Sequence, residues 1–226
     1  MLRGVGMKSV ILGKGSSHTC MYGIFQAINN KQTNYNWLIT NCEAYPRDRE
    51  LEQLFSQEYI WISGEELTVI IDKEDFQFVW GVLSGFTKEI ELEEVLRYDL
   101  PSADGNQAFW VDNVSVQHPL ADVEIVAWDS SYTLFISKDD NLVEGFMNAF
   151  PLSKDLSALN IKQNAEVNHI QELLVKVLTD CKLPVDDDSL HKKYLIWNKL
   201  YHNRDVAVAD EDILELIYNV FGIKKS

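Results

Sequence analysis

The chain has 226 residues, 46% hydrophobic and 11% aromatic, which excludes a disordered segment and supplies enough core to fold without disulfides or metal. Its 20 Lys and Arg against 35 Asp and Glu leave a formal net charge of −15. That balance argues against nucleic-acid binding, which needs cationic side chains on phosphates, and against adsorption to anionic membranes.

In chain order, residues 8–12 read as a strand followed by a glycine-rich turn. Its apolar part, Val10-Ile11-Leu12, is too short for a secretion signal, and no run reaches the ~20 apolar residues that span a bilayer. Met21, Tyr22, Ile24, Phe25 and Ile28 recur at helical spacing and stop at Asn29-Asn30. Tyr59–Ile62 reads as a strand. Leu67–Ile71, beyond the Ser63-Gly64 turn, reads as a second strand or as the start of a helix with Glu65 and Glu66 in its first turn. Phe76, Val79, Trp80 and Leu83 predict a helix, opened by Asp72 or Asp75 and ended at Gly85. Val123–Trp128 and Tyr132–Ile136, parted by Asp129-Ser130-Ser131, predict a hairpin whose strands are partly buried on both faces. A helix from about Asn141 ends before Pro151.

Near residue 160 the pattern becomes purely helical. Ile170, Leu173, Leu174, Val177, Leu178 and Cys181 form one stripe. A second helix, about 189–201, turns Leu190, Tyr194, Trp197 and Tyr201 inward. A third starts at Asp210-Glu211-Asp212, presents Ile213, Ile217, Val220 and Phe221, and stops at Gly222. The expected architecture is α+β: a mixed or antiparallel sheet with flanking helices over 1–159, then a three-helix C-terminal unit over 160–226.

Residues 1–49 carry +4, residues 50–159 carry −17 and residues 160–226 carry −2. A charge run is ordinarily a solvated face. Its functional alternative is a negative field that attracts a basic partner and fades with salt. On that reading Glu91, Glu93, Glu94, Asp99, Asp122 and Asp129 are the partner-binding candidates; of the nearby aromatics Trp61, Trp80, Phe86, Tyr98, Phe109, Trp110, Trp128 and Tyr132, most read as core and one or two beside exposed acids as anchors.

Motifs that carry chemistry are lacking. Gly13-Lys14-Gly15-Ser16-Ser17 fails the phosphate-loop pattern because its lysine lies between the glycines. The histidines His18, His118, His169, His191 and His202 form no zinc spacing, and Asp186-Asp187-Asp188 before Ser189 reads as helix capping rather than a cation loop. No metal and no cofactor is expected. Cys20, Cys42 and Cys181 are odd in number and lack a CxxC pair, which suits free thiols in a reducing cytoplasm.

Three segments carry a resemblance: Tyr35–Ile39, Ile62–Leu67 and His118–Tyr132. Over about residues 35–155 the chain resembles small uncharacterised bacterial proteins, some of which accompany polymorphic toxins as immunity proteins. The resemblance implies a binding role and brings no catalytic residues with it. The leading expectation is therefore a non-enzymatic interaction protein, in concrete form an acidic immunity or inhibitor protein against a basic toxin or nuclease. The alternative is a hydrolase or transferase whose site gathers distant residues around His18, Cys20 and His118.

Overall fold

The computed structural model describes residues 8–13, 19–201 and 208–223. It divides into two compact units, Met1–Leu159 and Asn160–Ser226. The first holds strands β1 (Lys8–Leu12), β2 (Tyr35–Ala44), β3 (Tyr59–Ser63), β4 (Phe78–Thr87), β5 (Val123–Trp128), β6 (Tyr132–Ser137) and β7 (Lys154–Asp155). Its helices are α1 (Met21–Ala27), α2 (Arg49–Phe55), α3 (Gly64–Lys73), α4 (Leu92–Val95) and α5 (Asp140–Ala149). The strands form one antiparallel sheet in the order β3-β2-β4-β5-β6-β1-β7.

The two faces of the sheet are covered differently. On one, Trp37, Ile39, Leu83, Ile125 and Phe135 pack against Ile24 and Phe25 of α1, Leu67 and Ile71 of α3, and Phe146 of α5. On the other, Leu38, Val82, Phe86, Val126 and Leu134 lie under Val95 of α4 and under Ala103, Phe109, Val114 and Val116 of the long segment that follows it. Both faces are buried, so the central strands are apolar almost continuously.

That double burial explains where the helical reading of 76–85 fails. Phe76, Val79, Trp80 and Leu83 do recur at helical spacing, but β4 is apolar on both sides and any period can be drawn through it. Gly85 ends no helix. It pairs with Val123, and a Cβ there would lie 2.7 Å from the Val123 side chain and 3.2 Å from the Trp37 ring. Asp72 belongs to α3, and Asp75 accepts from the Tyr22 N–H at the start of α1.

Leu67–Ile71 resolves as helix because its entry is strongly specified. Ser63 Oγ accepts from the Glu66 N–H, while Glu66 reaches back to the Ser63 N–H and hydroxyl. Gly64 then lets the Gln32 carbonyl approach to 1.9 Å of where a Cβ would stand. Ser63→Ala is expected to cost about 1 kcal/mol of stability, read as a lower urea midpoint at unchanged slope. The β5–β6 hairpin turns through Asp129 (φ 49°) and Ser130 (φ 52°), two left-handed residues matched to the twist of the strands.

The second unit draws on helix α6 (Leu156–Asp180), which contains the boundary, with α7 (Asp187–Tyr201) and α8 (Asp210–Phe221). Its core joins Ile170, Leu174, Val177 and Leu178 to Ile196, Ile213 and Ile217. One expectation needs correction: Tyr194 is 50% exposed, and Ser189 and Ile196 are the buried positions of α7. Trp197 and Tyr201 do pack against this core, whereas Tyr194 turns outward, and a tyrosine tolerates water at its hydroxyl end. Gly222 closes α8 in a left-handed conformation (φ 64°).

Candidate functional site

One end of the sheet gathers the start of β2, the end of β3, the end of β4 and the start of β5, since Tyr35 pairs with Thr87, Asn36 with Ser63 and Gly85 with Val123. Helix α4 sits just after β4. Val95 is its fully buried anchor, while Glu91, Glu93, Glu94 and Asp99 are exposed. Two apolar residues stand among these acids, Leu96 at 40% and Tyr98 at 44% exposure. Lys88 bonds Glu65 across the same end at 2.6 Å.

A buried polar chain fixes this segment from beneath. Glu124, on β5, is fully buried; its carboxylate accepts from the Ser84 hydroxyl at 3.0 Å, the His118 N–H at 3.0 Å and the Gln117 N–H at 2.8 Å. The His118 ring, also fully buried, donates through Nε2 to the Val95 carbonyl at 3.1 Å, while Nδ1 accepts from the Leu120 N–H. Those partners assign the neutral, Nε2-protonated tautomer. Phe86 and Tyr98 pack edge-on against the imidazole. The Gln117 side chain ties in Ser102 and Asn106. Burial pushes the Glu124 carboxyl up to about 7, against the opposing pull of its three donors. Burial likewise holds His118 below the ordinary imidazole value.

Glu124, one of the acids counted in the −17 of residues 50–159, is thus not a surface charge. The signal was present: Val-Glu-Ile-Val-Ala-Trp places one carboxylate inside a strand buried on both faces, and a buried acid needs donors. The six candidate acids also fall into different settings. Glu91, Glu93, Glu94 and Asp99 share the α4 segment. Asp122 immediately precedes β5 at the same end, half-exposed and bonded to Lys138 at 3.1 Å. Asp129 is exposed at the other end of β5, about 20 Å away for six residues of strand. Beside Asp129 lies a half-buried tryptophan cluster: Trp80 and Trp110 meet Trp128 edge-on at 5.1 and 5.0 Å. The helical reading of β4 hid this cluster, because Trp80 faces Trp128 only once the two strands pair.

The residues of the alternative site are not brought together. Cys20 bridges to Gln77, just before β4, whereas His118 packs on Phe86 near the end of that strand, some 30 Å further along. His18 lies outside the described residues, as does most of the glycine-rich turn after β1. Cys42 is a free thiol pushed up to about 12 by burial, which suits packing rather than nucleophilic attack. Among the described residues no His, Cys, Asp and Glu side chains converge as a metal site. Asp186 and Ser189 form a reciprocal cap at the start of α7.

These features define an α+β protein with a seven-stranded antiparallel sheet and a helical C-terminal unit. Within it, residues 10–100 are similar to the family described as a protein of unknown function (DUF2691), a match that reaches from β1 through α4 and stops short of His118 and Glu124. No curated protein and no solved structure was found to match the chain. Among the described residues no helix is long and apolar enough to cross a membrane.

Proposed function

We propose that this is a non-enzymatic interaction protein that binds a basic partner. Its most concrete form is an immunity or inhibitor protein that lays its acidic surface over the active-site cleft of a basic toxin or nuclease. The observation that carries this reading is the α4 segment: Glu91, Glu93, Glu94 and Asp99 exposed around Leu96 and Tyr98, on a backbone held by the His118–Glu124 chain. Four acids against one basic residue in the segment, Arg97, leave a net negative field that steers a basic protein; apolar groups among them give it something to bury; a pre-ordered segment loses little entropy on binding. The three free thiols suit a cytoplasmic site of action.

The test is capture from native-host lysate at low and high salt, followed by association kinetics with the retained protein. A single basic protein held in low salt and released in high salt is expected. Reversing Glu91, Glu93 and Glu94 to Lys should slow association by about tenfold or more and flatten its salt dependence. Reversing Asp129 alone, well beyond a ~10 Å screening length from α4, should change the rate by less than about twofold. An unchanged rate in the triple variant would remove the steering claim, and no specific partner at either salt would remove the reading itself.

A further inference from the structure

The open edge of the sheet at β3 offers a second element of recognition. β3 pairs with β2 on one side and is the last strand of the sheet on the other, so half the backbone N–H and C=O groups of Tyr59–Ser63 face outward. A shallow apolar groove runs along that edge, lined by Leu54, Ile60, Ile62, Val69 and Ile70, with Val69 68% exposed at its rim. Glu65 and Glu66 supply its charge, Glu65 shared with Lys88 at 2.6 Å, and among the described residues no Lys or Arg lines the groove itself. The Lys88 ammonium holds Glu65 below the usual carboxylate range, and the Ser63 hydroxyl does the same for Glu66, so both are anionic at neutral pH. Through the Lys88–Glu65 pair the groove meets the end of the sheet that carries α4.

We propose that this edge takes an extended segment of the partner as an added antiparallel or parallel strand, its chain alternating Lys or Arg with apolar residues. Main-chain pairing to β3 supplies affinity, the apolar positions fill the groove, and the cations meet Glu65 and Glu66. The proposal rests on the basic-partner reading and adds the mode of contact. Charge complementarity selects this occupant over a second copy of the chain. In an antiparallel edge-to-edge dimer Glu58, just before β3 in one copy, would approach Glu65 and Glu66, just after β3 in the other, between chains that each carry −15.

The experiment uses the full chain and a displayed library of random nine-residue peptides, selected at low salt against the wild type and against Val69→Lys. Val69 is exposed, so this change alters the groove and leaves the core alone. The expected result is enrichment of peptides alternating basic and apolar residues on the wild type, with at least tenfold weaker binding to Val69→Lys. The best peptide should also slow amide hydrogen exchange at residues 59–63. Acidic or pattern-free winners, no enrichment, or equal binding to Val69→Lys would each overturn the proposal. So would a doubled mass in sedimentation that Val69→Lys abolishes, which would make the occupant a second copy. If the lysate partner is lost on reversal of the α4 acids while no peptide binds β3, the basic-partner reading stands and the strand-addition proposal falls.

Discussion

Replacing Glu124 by Ala is expected to cost about 3 kcal/mol at neutral pH and to loosen the whole segment over that face of the sheet. The Gln117 and His118 N–H groups lose their carboxylate acceptor in a buried interior, and each orphaned donor costs roughly 1–3 kcal/mol. Removing the buried charge offsets part of that loss. Glu124→Gln is the sharper probe. One carboxylate oxygen serves Ser84 and His118, the other serves Gln117, so an amide in either orientation turns its NH2 toward a backbone N–H. The pH dependence separates the two causes. With its folded value raised to about 7 from an ordinary 4.5, Glu124 binds its proton in the native state first. Its contribution to stability is complete below about 4.5 and is lost as pH rises through about 7, a swing of about 3 kcal/mol. Urea titrations at pH 6.5 and pH 8 should show the wild type gaining stability on acidification and the Gln variant failing to gain it. Parallel behaviour of the two proteins would refute the assignment.

His118→Ala is expected to destabilise by about 2–4 kcal/mol, from the cavity left between Phe86 and Tyr98 and from the lost donor to the Val95 carbonyl. Its pH dependence has the opposite sign to that of Glu124. Burial depresses the native imidazole value, so His118 contributes stability above about 6.5 that is lost as pH falls and the unfolded chain takes up the proton. The contact with Glu124 runs through the His118 main-chain N–H, which alanine keeps, so a double-mutant cycle with Glu124→Ala reads only coupling through the shared backbone, expected at about 0.5 kcal/mol. Function gives a further distinction. If His118 positions α4, its loss should speed dissociation of the basic partner while the salt dependence of association persists, because Glu91, Glu93 and Glu94 keep their charge. If it were a catalytic base, partner binding would survive and only turnover would change.

Between them, these two side chains change the meaning of the acidic run. The charge excess of residues 50–159 is real, but one of its members is structural, one is bonded to Lys138, and another lies at the opposite end of β5 from the rest. Of the six candidate acids, what is left is a compact set on and around α4, next to a sheet edge with anionic residues of its own.

Local signals sufficed for much of this. The α+β class, the β5–β6 hairpin, α1, α5 and the three C-terminal helices were legible in the sequence because each is fixed by its own periodicity, caps or turn residues. Helix α8 is an example: acids at its start, Ile213 and Ile217 inward, Gly222 at its end. Elements buried on both faces were not legible in this way, since β4 has no polar side to give it a period. Nor was the fate of individual acids. Glu93 stands among Glu91 and Glu94, whereas Glu124 stands in an apolar strand whose neighbours point to burial without naming its donors. One faces solvent on a four-residue helix; the other is enclosed where β5 passes beneath His118. Only the pairing of β4 with β5, and the return of Gln117 and His118 over that pair, decides which carboxylate meets water and which meets backbone donors.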